Sequence, residues 1–126
     1  MSLLSYNELC ELVEQGVITD IHPNQINGTS IDIRLGSDII IETHLDLNKK
    51  QYVDVQDRTG FPHHKMKLGM GEYHMAPGEF ILAQSMEKFN LPMDISCEFK
   101  LKSSGARSGL DNALATWCDP GWHGSV

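Results

Sequence analysis

An all-β domain, a sandwich or barrel behind one short N-terminal helix, is the fold class this sequence predicts. Three observations predict it. Short β-branched or alternating apolar runs recur along the chain, and clusters of Gly, Pro and Asn separate them. Helical spacing with a proper start signal occurs once, at the beginning.

The helix comes first. Ser5 opens S-Y-N-E, a capping-box pattern in which Ser5 and Glu8 satisfy the first turn reciprocally. Leu9, Leu12 and Val13 follow at helical spacing, and Gly16 is a natural stop, so the helix is expected from Ser5 to Gln15. Glu8, Glu11 and Glu14 make its solvated face. "HPNQINGT" is turn chemistry, with Pro23, Asn27 and Gly28 as breakers. In "SIDIRLG", Ile31, Ile33 and Leu35 alternate with Asp32 and Arg34, which predicts a half-buried strand ended by Gly36. Asp32 and Arg34 would share one face, in a surface or interface salt bridge or toward a ligand. "DIIIETHL" and "QYVDVQ" read as further strands, and "EYHMAPGEFILAQS" as strand, Pro77-Gly78 turn, strand. "DISCEFKLKS" alternates Ile95, Cys97, Phe99 and Leu101. From Asn48 to Met70 the pattern is weakest, and a long excursion is expected there. No repeat or linker interrupts the chain, so residues 1–126 read as one domain.

Composition narrows the function classes. The 126 residues are 40% hydrophobic and 21% charged, the make-up of a soluble globular protein. No apolar run approaches the roughly 20 residues of a membrane span, and the N-terminus lacks the basic start of a secretory signal. No membrane partner and a cytoplasmic location are expected. Cys10, Cys97 and Cys118 are odd in number and far apart, so reduced thiols are expected. A formal net charge of -7 argues against a nucleic-acid polymer as partner. Of the 17 acids, eight lie in the first 46 residues against one base, Arg34. Any anion site must therefore be local.

One stretch fits that description. "KSSGARSGLDN", residues 102–112, sets Lys102 and Arg107 around Ser103, Ser104, Gly105 and Ala106, and no acid occurs from Phe99 to Leu110. Cations, hydroxyl donors and approachable backbone N–H groups are what a phosphate requires. Taken alone, the stretch is equally a polar turn with solvated cations. "CDPGWHG" is similarly two-sided: Asp119 begins a tight turn with a core tryptophan beyond it, or accepts a sugar hydroxyl. His22, His44, His63, His64, His74 and His123 form no HExxH or paired Cys/His pattern, and no protein metal site is expected. The H-x-E and P-C-x-x-C elements of zinc-dependent nucleobase deaminases are absent as well.

In order, "INGTSIDIRLG", "PGEFILAQSMEKFNLPMDI", "KSSGARSGL" and "DPGWHG" resemble the deoxycytidine triphosphate (dCTP) deaminase branch of the trimeric dUTPase superfamily. The resemblance covers nearly the whole chain, apart from about Glu42 to Met70. It implies a distorted dUTPase-like β-barrel, or β-clip, assembled as a homotrimer with active sites at subunit interfaces. The implied reaction is hydrolytic, zinc-independent deamination of dCTP to dUTP. Lys102, Ser103, Ser104, Gly105, Ala106 and Arg107 would handle the triphosphate, and Ser103 and Arg107 the catalytic water as well. The backbone around Ala115 and Thr116 would face the base, and Asp119 would hold the deoxyribose. Mg2+ would ride on the triphosphate and not in a protein cage. The general base, a glutamate, is expected beyond Val126, as are the C-terminal strands and a lid. The sequence departs from the family pattern at Lys102, where arginine is usual, at Gly105, where leucine is usual, and in a one-residue-shorter stretch from Asp111 to Thr116. Two alternatives stay open: a dUTPase or bifunctional enzyme of the same superfamily, with Asp119 activating water in the former, and a catalytically silent trimeric nucleotide-binding module. Arg107 favours the deaminase, since the dUTPase form of the motif normally lacks it.

Overall fold

Ser5 starts the first helix, α1 (Tyr6–Glu14), as its capping box requires. The Glu8 carboxylate accepts from both the N–H and the hydroxyl of Ser5, each at 2.7 Å, and these bonds hold the Glu8 carboxyl below its usual range. Gly16, at φ +74°, takes the left-handed conformation that closes the helix end. The bounds expected for the helix, Ser5 and Gln15, are its N-cap and C-cap, and Leu9 is buried beneath it.

The computed structural model describes residues 2–43, 56, 63–69, 72–112 and 116–126. After α1 come β1 (Ile18–Thr19), a 3-10 turn at Pro23–Gln25, β2 (Leu35–Glu42), β3 (His63–Lys67), β4 (Ile81–Ser85), β5 (Lys88–Asn90), β6 (Cys97–Glu98), α2 (Ser103–Arg107), β7 (Trp117–Cys118) and β8 (His123–Gly124). The chain forms two compact units, Met1–Arg34 with Glu87–Val126, and Leu35–Met86.

In the first unit β1, β5 and β8 form an antiparallel sheet with β5 central, while β6 and β7 form a separate ladder. Ile18, Phe89, Leu91 and Cys118 are its buried core, packed against Ile31, Ile33, Ile95, Cys97 and Phe99. Phe89 and Phe99 meet edge to face, with centroids 5.6 Å apart. The alternation that pointed Ile31, Ile33, Ile95, Cys97 and Phe99 inward is correct, although little of it is ladder.

The strand expected in "SIDIRLG" is not a strand. Only Ile31 bridges, to Ile26. The Asp32 N–H donates to the Gln25 carbonyl at 2.8 Å, and the Gln25 side-chain amide donates to the Asp32 carbonyl at 2.7 Å, so local bonds occupy the groups a ladder would need. Pairing begins at Leu35, which is exposed and not inward, and runs on through Gly36.

The second unit is an antiparallel sheet in the order β3-β2-β4. Gly36 belongs to its central strand and does not end one. A Cβ there would lie 2.9 Å from the Gln84 carbonyl oxygen, so glycine permits the close approach of β4. Ile39 and Ile41 are buried on one face, opposite Met66 and His64 of β3 and Ala83 and Ile81 of β4. β3 lies inside the stretch expected as an excursion, because "HHKMK" is a polar strand on the sheet's edge with little alternation to reveal it. No strand forms at residues 72–76. The Glu79 carboxylate takes the Ala76 N–H at 2.7 Å and the Tyr73 hydroxyl, so a side chain secures this backbone ahead of the Pro77-Gly78 turn. Of "QYVDVQ" only Gln56 is among the described residues, as a turn. The sheets have three, three and two strands, and none closes on itself among the described residues, in keeping with a distorted and not a regular barrel.

Candidate active site

The β6–β7 ladder is the frame of the site. Cys97 stands opposite Cys118 and Glu98 opposite Trp117, and the Phe99 N–H donates to the Thr116 carbonyl at 2.7 Å. Because the strands are antiparallel, the chain leaving β6 reaches Lys102 at the end where β7 begins. The chain leaving β7 reaches Asp119 at the opposite end.

Where a basic loop was expected there is a five-residue helix, α2, with Lys102 extended at its N-cap. The Ser108 hydroxyl donates to the Ser104 carbonyl at 2.9 Å, and Gly109 at φ +83° turns the chain away. A Cβ on Gly105 would lie 3.0 Å from Leu101 Cδ1, so Leu101 fills the space a larger residue at 105 would need. Ser103, Ser104, Ala106 and Arg107 are exposed, and among the described residues no protein group pairs with the Ser103 or Ser104 hydroxyl or the Arg107 guanidinium. The N–H groups of Ser103, Ser104 and Gly105 likewise find no backbone acceptor there. Lys102 differs: its Nζ lies 2.6 Å from Asp32 Oδ2. A cavity of about 430 Å³ opens beside α2, lined by Phe99, Leu101, Ala106, Leu110, Asn112 and Thr116 among others.

Asp119 is exposed, and its Oδ1 accepts from Trp117 Nε1 at 3.1 Å. Pro120 and Gly121, the latter at φ +79°, make the expected tight turn, with the Trp122 N–H returning to the Asp119 carbonyl at 3.3 Å. Trp122 is exposed and is not the core tryptophan that a plain hairpin would bury. Ala115 lies outside the described residues. The Thr116 carbonyl is engaged by Phe99. The structure places Ser103, Ser104, Gly105, Ala106 and Arg107 on α2 with Lys102 at its N-cap, and Asp119 in the turn that follows β7.

Asp32 and Arg34 are each ion-paired, but with different partners. Arg34 Nε donates to Glu87 Oε1 at 2.7 Å and the Arg34 N–H to Glu87 Oε2 at 2.9 Å, while Gln25 Nε2 adds a third bond to Oε1 at 3.0 Å. Glu87 is fully buried, the residue that sequence reasoning missed. The usable signal was Arg34, the sole base among the first 46 residues, which needed an acid to enter the fold. Burial alone would raise the Glu87 carboxyl, yet the bonds from Arg34 and Gln25 prevail and hold it below the usual range. Burial beside Cys118 pushes the Cys97 thiol up to about 12. Among the described residues no group of three or more His, Cys, Asp or Glu could hold a metal ion, and no helix is long and apolar enough to cross a membrane.

Residues 3–126 match a family model described as dCTP deaminase-like. The "dCTP deaminase, dUMP-forming" of Dictyoglomus thermophilum is 30% identical over 132 residues, which cover 98% of this chain and 66% of that protein. The protein of the same name from Methanothermobacter thermautotrophicus is 29% identical over 133 residues, covering 100% of this chain and 66% of its own length. The crystal structure of 2'-deoxycytidine 5'-triphosphate deaminase from Agrobacterium tumefaciens superposes with a TM-score of 0.69 at 22% identity, over 98% of this chain and 39% of that one. That likeness shows the fold. The chain spans just under two thirds of the length of these two curated relatives.

Proposed function

Because the chain belongs to the dCTP deaminase-like family, we propose that it binds dCTP at α2 and serves the hydrolytic, zinc-independent removal of the amino group at cytosine C4. The observation that carries this reading is α2 itself. Two hydroxyls, Ser103 and Ser104, and the Arg107 guanidinium stand within one short helix, unmatched by any described protein group. A cavity of about 430 Å³ that Ala106 of α2 lines, with Glu98, Lys100 and Asp111 on its wall, is within the roughly 300–1,000 Å³ of small-molecule sites.

In this reading Lys102, Ser103, Ser104, Arg107 and the N–H group of Gly105 hold the triphosphate, while the Ala106 N–H is taken by the Lys102 carbonyl at 3.0 Å. Ser103 and Arg107 also fix the attacking water, and backbone at Ala115 carries the base. The donors on α2 are hydroxyls and cations, which suit phosphate oxygens and not a metal, so Mg2+ would be carried by the triphosphate and offset its charge. A glutamate expected beyond Val126 takes one proton from water as the oxygen adds to C4 and passes it to ring N3. The C4–N bond then breaks, the amino group leaves as ammonia with the remaining water proton, and C4 becomes the carbonyl. A positioned base of this kind contributes on the order of 100- to 10,000-fold.

In this reading the chain assembles as a homotrimer with its sites at subunit interfaces, and Asp119, in the turn after β7, holds the deoxyribose. The relatives' printed name, dUMP-forming, favours a second reading in which the product goes on to dUMP with loss of pyrophosphate.

The test is ammonia release from dCTP by the full-length protein with a zinc-specific chelator present, the nucleotide products being separated by chromatography. Ammonia with dUTP supports the simple deaminase, and ammonia with dUMP and pyrophosphate supports the second reading. A folded protein that binds dCTP and releases no ammonia is the silent module. Activity that the chelator abolishes overturns the proposal.

A further inference from the structure

Lys102 is the only polar side chain of the 102–107 segment with a described protein partner, and that partner is unusually well fixed. The Asp32 N–H donates to the Gln25 carbonyl at 2.8 Å, and the Asp32 carbonyl accepts from Gln25 Nε2 at 2.7 Å. Asp32 Oδ1 accepts from Asn27 Nδ2 at 3.0 Å. Gln25 is buried and bonded in turn to the fully buried Glu87. Oδ2 is the carboxylate oxygen left over, and it meets Lys102 Nζ at 2.6 Å.

We propose that Asp32 is a positioning residue for nucleotide binding, an anchor that holds the Lys102 ammonium where the phosphates of dCTP arrive. This rests on the reading that α2 binds the triphosphate. An ammonium has three donors. Asp32 takes one, which leaves two for phosphate oxygens. Lysine is a compact charge on a flexible stem and lacks the rigid fork of an arginine, so ordering it on binding weakens affinity unless something else has ordered it first. The Gln25–Asn27–Asp32 bonds supply that order from the folded interior. The carboxylate also repels phosphate, but both its oxygens are engaged and the site is exposed, where solvent and salt screen charges beyond direct contact. Pre-ordering therefore outweighs repulsion. A plain surface salt bridge at this place would change stability slightly and nucleotide affinity not at all.

The experiment is calorimetric titration of the full-length protein at about 0.15 M ionic strength, where surface charges are screened, with dCTP and with deoxycytidine, which has no phosphate. The variants are Asp32→Asn, Lys102→Met and the double substitution. Asp32→Asn is expected to weaken dCTP about fivefold through the lost ordering of one lysine, to raise KM and not lower kcat, and to leave deoxycytidine unaffected. In the Lys102→Met background it should have no further effect. Asn27→Ala, which loosens the carboxylate without removing it, should weaken dCTP in the same direction by less, and it carries the test if Asp32→Asn does not fold. Unchanged or tighter dCTP binding by Asp32→Asn, with Lys102→Met still weaker, overturns the anchor and makes Asp32 a competing counter-ion. Unchanged dCTP binding by both Lys102→Met and Arg107→Ala overturns the triphosphate site itself, and the anchor with it.

Discussion

Two arginines of the first unit occupy opposite situations. Arg34 donates through Nε and its own N–H to Glu87, and its Nη2 reaches the Asp20 carbonyl at 2.6 Å. That last bond holds Asp20 at φ +64°, a left-handed conformation no other described non-glycine residue adopts. Arg107, on α2, meets no described protein group. One cluster is closed, with a fully buried carboxylate receiving every donor around it, and a protein interior tolerates charge only in that form. The other is open, with hydroxyls and a guanidinium turned to solvent and available to an anion. The same residue type is structural in one place and, in the proposed function, a ligand for phosphate in the other, and partner count distinguishes them where residue identity does not.

The largest effect that sharpens this contrast is on stability. Glu87→Ala leaves Arg34 and Gln25 without their acceptor and should cost about 3 kcal/mol, the lower part of the range for breaking a buried pair because Arg34 is itself half-exposed. Urea denaturation followed by circular dichroism reads it directly. A loss below 1 kcal/mol would make the closed cluster an ornament of the fold.

Next is catalysis. Arg107→Ala should leave the urea midpoint nearly where it was, within about 0.5 kcal/mol as for exposed positions. It should lower kcat/KM of the full-length protein for dCTP about 100-fold, the scale on which positioned transition-state donors act. Most of that loss should fall on kcat if the guanidinium orients water. An Arg107→Ala protein as unstable as Glu87→Ala would break the comparison.

The residues that were easiest to read from sequence were those whose partners lie nearby. Ser5 and Glu8 are three apart, and the helix they cap was legible to within one residue at each end. Ile31, Ile33, Ile95, Cys97 and Phe99 were read as inward-facing, because burial imposes alternation even where extended chain makes only short ladders or single bridges. "KSSGAR" was legible as an isolated basic spot in an acidic chain, though not as a helix, since Gly105 disfavours one. What stayed hidden joins distant positions. Arg34 and Glu87 are 53 residues apart, and Asp32 and Lys102 are 70 apart. No local periodicity encodes such pairs. β3 was hidden for another reason: an edge strand of histidines and lysines has no apolar face to betray it.

A smaller effect follows from pH. The Glu87 carboxyl is pushed up by burial and pulled down further by its bonds, so its folded pKa lies below that of the unfolded chain, about 4.3. The stability it contributes is fully present above that value and is lost as pH falls through the lowered folded one. The urea midpoint should therefore drop between about pH 5 and pH 3, and Glu87→Gln should flatten this slope. The Glu8 carboxyl is also lowered, by Ser5, but it is exposed, and Ser5→Ala should change the slope far less. An equal flattening by both variants would put the acid sensitivity on the surface and not in the closed cluster.

The smallest effect lies on the ladder between α2 and Asp119. Cys97 faces Cys118 across β6 and β7, and burial lifts its thiol to about 12. A thiol with that pKa is almost wholly protonated at pH 8, and the thiolate is the form that reacts. Native Cys97 should therefore be alkylated by iodoacetamide at least about 100-fold more slowly than in the urea-unfolded chain, where the thiol titrates near 8.5. Peptide mass spectrometry of a timed quench resolves it from Cys10, which lies apart on α1 and serves as the internal comparison. The same raised value favours the folded state below the unfolded thiol's pKa and withdraws that support as pH climbs toward 12, so a slight stability loss above about pH 9 should accompany it. Fast alkylation of native Cys97 would mean that the ladder opens readily.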